Sequence, residues 1–205
     1  MKSLYFVRHG QSLANTGAVS MHDVSIPLTD LGLQQAQDLR DRWIVEPSNI
    51  YCSELKRAQQ TAQIFSDRYQ LSSNVIKELN EFRCLDFKTV EGLQGAERGI
   101  LAQKYWQDAD LAHRDGEDCD SFQDFVDRID TFLEHIPEFQ DRSLFFGHGI
   151  WIGLLSWRLM GCKIESNQDM RKFRQYQTAL PMFNTVVYKL SISDTGVKQL
   201  QWFDV

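Results

Sequence analysis

The sequence is short of cysteine, of long apolar runs and of positive charge, and each shortage closes off a class of protein. Its four cysteines, Cys52, Cys84, Cys119 and Cys162, each lie more than thirty residues from the next. No CxxC pair exists to hold zinc or to run a dithiol cycle, so reduced thiols and no metal are expected. The most apolar stretch, Ile150–Trp157, falls far short of the ~20 residues that cross a bilayer. Near the start, one lysine precedes only Leu4–Val7 before Arg8, too short a core for a secretory signal. A cytoplasmic protein without membrane contact is the expectation. Lysine and arginine number 22 against 28 acidic residues, for a net charge of -6. That balance lacks the basic stripe of a nucleic-acid binder. It also repels anions at long range, so any anion site must be a local cationic pocket.

The chain carries no repeat, low-complexity tract or charge run. Its 205 residues, 42% hydrophobic and 24% charged, fit one soluble domain spanning 1–205. Residues 3–7, 50–52, 75–79 and 143–146 read as short strands, and 184–191 and 199–203 as closing strands around a turn at 193–196. Helical spacing appears after Thr29 up to Trp43, from Leu55 to Tyr69, after a cap at Asp120, from about Trp151 to Met160, and from Gln168 to Tyr176. Residues 82–119, with Gly92, Gly95, Gly99 and Gly116, read as an irregular excursion bordering a site. Strands alternating with amphipathic helices imply an α/β fold, a mostly parallel central sheet with helices on both faces in three layers.

Ligands of such sheets bind at the carboxyl ends of strands. That rule brings Arg8-His9-Gly10, after the first strand, near His148-Gly149, after the 143–146 strand. Arg8 supplies a planar cationic fork for phosphate oxygens. Gly10 removes a side chain where backbone must come close to a ligand. Neutral imidazole held in one tautomer is a competent nucleophile. The three-residue motif alone would arise by chance in on the order of one chain in a hundred.

Longer segments carry more. Leu4-Tyr5-Phe6-Val7-Arg8-His9-Gly10-Gln11-Ser12-Leu13-Ala14-Asn15 is followed by Ile26-Pro27-Leu28-Thr29-Asp30-Leu31-Gly32 and by Ser53-Glu54-Leu55-Lys56-Arg57-Ala58. Then come Leu79-Asn80-Glu81, Glu91-Gly92-Leu93, Phe146-Gly147-His148-Gly149 and Asn184-Thr185. In this order the segments resemble the histidine phosphatase superfamily, also called phosphoglycerate mutase-like, over nearly the whole chain. The resemblance implies a phosphoglycerate mutase-like fold and a metal-independent, cofactor-free phosphatase. His9 would carry the phosphoryl group, and Arg8, Arg57 and His148 would clamp its oxygens. Asn15 would be a polar neighbour of the phosphate, and Glu81 the acid and then the base. Gly149 would offer its N–H to the anion at a helix start.

Several assignments stay open in the sequence. The residues after Glu81, Phe82-Arg83-Cys84-Leu85-Asp86, depart from the family pattern, so Asp86 and Glu91 compete for the acid role. Asn184 reads equally as a strand start or a pocket residue. Glu117, Ser121 and Arg128 resemble a family stretch with a structural role. His22, His113 and His135 sit at no metal-ligand spacing. Arg171, Lys172 and Arg174 read as a solvated face, with a second-phosphate contact as the other reading. Phe82, Phe87, Tyr105, Trp106, Phe173 and Tyr176 serve as core or as pocket wall. The expected substrate is a small phosphorylated metabolite. A primed phosphoglycerate mutase and a non-catalytic phosphate-binding module are the alternatives, and no oligomeric state is specified.

Overall fold

The computed structural model describes residues 1–205. In chain order the elements are β1 (Lys2–Arg8), α1 (Asp30–Arg42), β2 (Ile50–Cys52), α2 (Lys56–Tyr69), β3 (Ser73–Val75), α3 (Phe87–Val90), α4 (Gly95–Asp108), α5 (Phe122–His135), β4 (Ser143–Gly147), α6 (Gly149–Leu159), α7 (Asn167–Ala179), β5 (Val187–Ile192) and β6 (Lys198–Trp202). One six-stranded sheet runs β3-β2-β4-β1-β5-β6. β3, β2, β4 and β1 are parallel, and β5 and β6 add antiparallel at one side.

The period-2 geometry of a strand makes the layers. Leu4 and Phe6 of β1 point into a large core with Phe132 of α5, Trp151 of α6 and Phe173 of α7. Tyr5 and Val7 point the other way, into a smaller core with Leu39 and Trp43 near α1 and Phe65 of α2. A sheet buried on both faces needs near-continuous apolar strands. β4 meets that need, with all five residues buried. No helix is long and apolar enough to cross a membrane.

Four sequence expectations need correction. The third strand is Ser73–Val75, and Lys77–Leu79 forms a 3-10 turn instead of strand. Leu79 is buried while Val75 at the sheet edge is exposed, so burial rather than β propensity sets the conformation there. Ser121, not Asp120, caps α5: its hydroxyl accepts from the Asp124 N–H, and the Asp124 carboxylate accepts from the Ser121 N–H. Such a reciprocal box satisfies two otherwise orphaned donors. Residues 82–119 are not irregular throughout, because α4 alone takes up Gly95–Asp108. Asn184 precedes the strand, which starts at Val187.

Candidate active site

β1 and β4 are parallel neighbours with Arg8 opposite Gly147. The His9 N–H donates to the Gly147 carbonyl at 3.0 Å. Two strand ends therefore deliver His9 and His148 to one point, with ring centroids 5.2 Å apart and planes inclined by 60°. Both imidazoles are buried.

The bonding assigns His9 a tautomer. His9 Nδ1 lies 2.6 Å from the Gly10 carbonyl oxygen. That oxygen can only accept, so Nδ1 carries the proton and Nε2 keeps a free lone pair. Burial, then the charges of Arg57 and Arg8, hold the His9 pKa well below that of an ordinary histidine, against the carbonyl contact. His9 is thus neutral. His148 Nε2 lies 2.7 Å from the Ser53 hydroxyl. That hydroxyl also accepts from the Leu55 N–H, and its proton and its second lone pair both face Nε2. Nδ1 of His148 is buried without a protein partner. Burial and the neighbouring cations Arg57 and Arg8 also depress this histidine's pKa.

The arginines frame this pair. Arg8 Nη1 donates to the Met182 carbonyl, while its buried Nε has no partner. Gly149 makes room beside that arm for the Met182 side chain: a Cβ there would lie 2.9 Å from Met182 Cγ. Arg57, at the start of α2, is buried and donates from Nη1 to the Asp23 carboxylate at 2.9 Å and carbonyl at 3.0 Å. A buried cation needs such a partner. Asn15 Oδ1 accepts from the Ser12 N–H and hydroxyl and from Asn184 Nδ2. Its NH2 group remains a donor in the cleft that Asn15 lines.

Glu81 faces the same cleft from the other side. Oε1 accepts from the N–H groups of Phe82 and Trp151, and Oε2 from that of Ile150, all at 3.0 Å. Two of these donors belong to the first turn of α6, where the helix dipole favours negative charge. Burial nevertheless dominates and raises the Glu81 pKa above the ordinary carboxyl value, against the backbone N–H groups, Arg57 and Arg8. Arg128 fixes the chain at this point. It grips Asp120 with both terminal nitrogens at 3.0 Å and reaches the carbonyls of Asn80 and Glu81.

The cleft measures about 290 Å³, and Arg8, His9, Asn15, Arg57, Glu81 and Gly149 all line it. Asn184 does not. It donates to the His9 carbonyl at 3.1 Å and to Asn15, so it positions two site residues from behind. Asp86 caps α3 through the Lys88 N–H, and neither Asp86 nor Glu91 reaches the cleft. Arg171 caps the last carbonyls of α4, and Arg174 stacks over Trp106 at 4.6 Å. Phe82, Tyr105, Trp106 and Phe173 are core, while Phe87 and Tyr176 are half-buried. No group of three or more His, Cys, Asp or Glu side chains is arranged to hold a metal ion.

The reason for Gly10 also differs from expectation. A Cβ there would sit 2.3 Å from the Gly32 carbonyl oxygen, and one on Gly32 would sit 2.0 Å from that of Gln11. The two glycines let the strand-end loop lie against α1. Side chains lock the same junction: the Gly10 N–H donates to Thr61, the Gln11 N–H to Gln35 and the Leu28 N–H to Gln60. Sequence reasoning missed Ser53 and Asp23 as supports, and it read Arg128 as structural without naming its partners. Each acts across 34 or more positions, and no local period marks such a pairing.

With this geometry in view, the comparisons are specific. An adenosylcobalamin/alpha-ribazole phosphatase of Escherichia coli K12 is 31% identical over 171 residues, covering 82% of this chain and 84% of that protein. A probable phosphoglycerate mutase GpmB of Yersinia pestis (strain Pestoides F) is 27% identical over 179 residues, covering 83% and 80%. The crystal structure of a putative alpha-ribazole-5'-P phosphatase from Escherichia coli K-12 superposes with a TM-score of 0.76 at 26% identity, covering 100% of this chain and 98% of that one. The family model for the histidine phosphatase superfamily (branch 1) matches residues 4–204, and the chain belongs to that superfamily.

Proposed function

We propose that this protein hydrolyses a small phosphomonoester through a phosphohistidine on His9. The observation that carries the reading is the His9 ring itself: neutral, proton fixed on Nδ1 by the Gly10 carbonyl, and Nε2 free. Nε2 attacks phosphorus, a P–N bond forms, and the P–O bond to the substrate alcohol breaks. Glu81, with its pKa raised by burial, gives its proton to the departing alkoxide. Ionised, it then takes a proton from the water that attacks phosphorus, the P–N bond breaks, and inorganic phosphate leaves.

The transferring phosphoryl group spreads its charge over three oxygens, so donors set in advance are the main source of acceleration. Arg8, Arg57, His148 Nδ1–H and the Asn15 amide are the donors we assign. Arg8 Nε and His148 Nδ1 support the assignment, since each is buried without a protein partner. Buried donors of this kind carry an unmet hydrogen bond that a phosphate oxygen satisfies. The cradle supplies positive charge from side chains alone, and we propose metal-independent turnover. Free Cys52, Cys84, Cys119 and Cys162 support a reducing, cytoplasmic setting. We read residues 1–205 as one domain, with 82–119 bordering the cleft.

The test is a panel of phosphomonoesters assayed for phosphate release, with His9→Ala as the blank. Release by the wild type and none by a folded His9→Ala is the expected result. Turnover retained by His9→Ala contradicts the assignment. Interconversion of 3- and 2-phosphoglycerate with a bisphosphate primer, in place of net hydrolysis, identifies a mutase instead.

A further inference from the structure

Beside the phosphate cleft lies a second, larger cavity of about 400 Å³. Its walls come from the segment before α1 and from the 82–119 excursion. Phe82, Leu85, Phe87, Val90, Ile26 and Met21 supply its apolar surface. The two spaces adjoin at three points. Ala14 lines both. Glu81 lines one, and its neighbour Phe82 the other. Arg57 lines the phosphate cleft, and its partner Asp23 lines the cavity.

The cavity is built. Arg98 of α4 donates to the Ser20 hydroxyl at 2.9 Å and to the Ala14 carbonyl at 3.2 Å. The Ser20 N–H donates to the Leu93 carbonyl, and the Gly95 N–H to that of Gly17. Gly95 permits that contact, since a Cβ would lie 2.5 Å from the Gly17 Cα. These bonds stitch the excursion to the opposite wall.

Its chemistry is selective. His22 and Phe87, both in the lining, present two rings 5.3 Å apart at 46°. Of the two arginines in the lining, Arg98 is bonded as above, and Arg83 donates from Nη1 to the Asp118 carbonyl while its buried Nε, 4.0 Å from the Asp23 carboxylate, makes no hydrogen bond. Asp23 and Asp118 in the same wall balance the charge of the two arginines, so the lining is formally neutral. An uncharged ring-bearing group buries apolar surface there without an unpaired charge.

Taking the phosphatase reading as its base, we infer that the substrate is a phosphomonoester whose alcohol carries an uncharged, ring-sized apolar group, seated in this cavity. A short sugar acid such as phosphoglycerate leaves the cavity's apolar surface unfilled. Gly99 and Ala102 of α4 set the cavity's width, as small residues one turn apart in its lining. A Cβ on Gly99 meets open space.

The test compares 2-(1-naphthyl)ethyl phosphate with ethyl phosphate, which share a primary alkoxide leaving group. The wild type should favour the naphthyl ester in kcat/KM by about 100-fold or more, the discrimination that burying several ring carbons provides. Gly99→Leu/Ala102→Leu, which fills the cavity, and Phe87→Ala, which removes a wall, should each lower that ratio at least about tenfold, with circular dichroism unchanged. A wild-type ratio near one, a preference for 3-phosphoglycerate, or equal losses on both esters in the variants overturns the inference. If no ester is turned over, the phosphatase reading falls, and binding decides the cavity separately. Naphthalene fluorescence should then report tighter binding to the wild type than to either variant, and equal binding refutes the cavity assignment.

Discussion

Glu81→Gln separates the two duties we assign to one carboxylate. Three backbone N–H groups end on its two oxygens, all at 3.0 Å. Glutamine has one acceptor oxygen, and its NH2 group must face at least one of those donors. A buried donor left unmatched costs about 1–3 kcal/mol. The variant should therefore lose about 1–3 kcal/mol of stability in urea melts, enough to measure and too little to unfold an ordinary domain. The chemical loss is larger and depends on the leaving group. Protonation by a placed acid is worth about 10²–10⁴-fold, or roughly 3–5 kcal/mol of barrier at 1.36 kcal/mol per tenfold. An alkyl ester needs that proton and a nitrophenyl ester does not. In rapid-quench kinetics, Glu81→Gln should release nitrophenol in a fast burst and then stall, because water is no longer activated against the phosphoenzyme. With an alkyl ester the burst itself should slow by the full factor. An equal slowing of both bursts would refute the acid role, and wild-type stability would refute the three-donor account.

Two further outcomes follow from the same geometry. The His9 pKa is depressed and the Glu81 pKa raised, and the active form needs the first neutral and the second protonated. After division by the substrate's own second ionisation near ~6, kcat/KM for an alkyl ester should fall on the acid side only well below the ordinary histidine value of about 6.5. It should fall on the alkaline side as pH rises through the raised Glu81 pKa, and that limb should vanish with a nitrophenyl ester. An acid limb at or above about 6.5 contradicts a buried neutral His9. Gly10→Ala places a Cβ 2.3 Å from the Gly32 carbonyl oxygen, an overlap that costs about 3 kcal/mol or more. A urea midpoint equal to the wild type's would show that the loop and α1 are not in that contact.

Much of this was legible in the sequence, for definite reasons. The alternation Leu4, Phe6 against Tyr5, Val7 divides between two cores, and that division is the three-layer fold. His9 and His148 met because each directly follows a strand, and those strands pair in parallel. α4 was hidden because Ile100 is exposed while the adjacent Tyr105 and Trp106 are both buried, which blurs the helical period. The role of Asn184 was undecidable from its position, since its bond to the His9 carbonyl spans 175 positions. Gly10 was read as a ligand approach, yet its close neighbour is Gly32 in α1. A glycine marks a close contact without naming the partner.

The account turns on a covalent bond between phosphorus and His9 Nε2. Enzyme mixed with excess substrate, quenched within milliseconds, digested and sequenced by mass spectrometry under alkaline conditions reads that bond directly. One acid-labile, alkali-stable phosphoryl group on His9, absent from His9→Ala and accumulating in Glu81→Gln, is the predicted result. A phosphoryl group on any other side chain, or turnover without any phosphoenzyme, would contradict it.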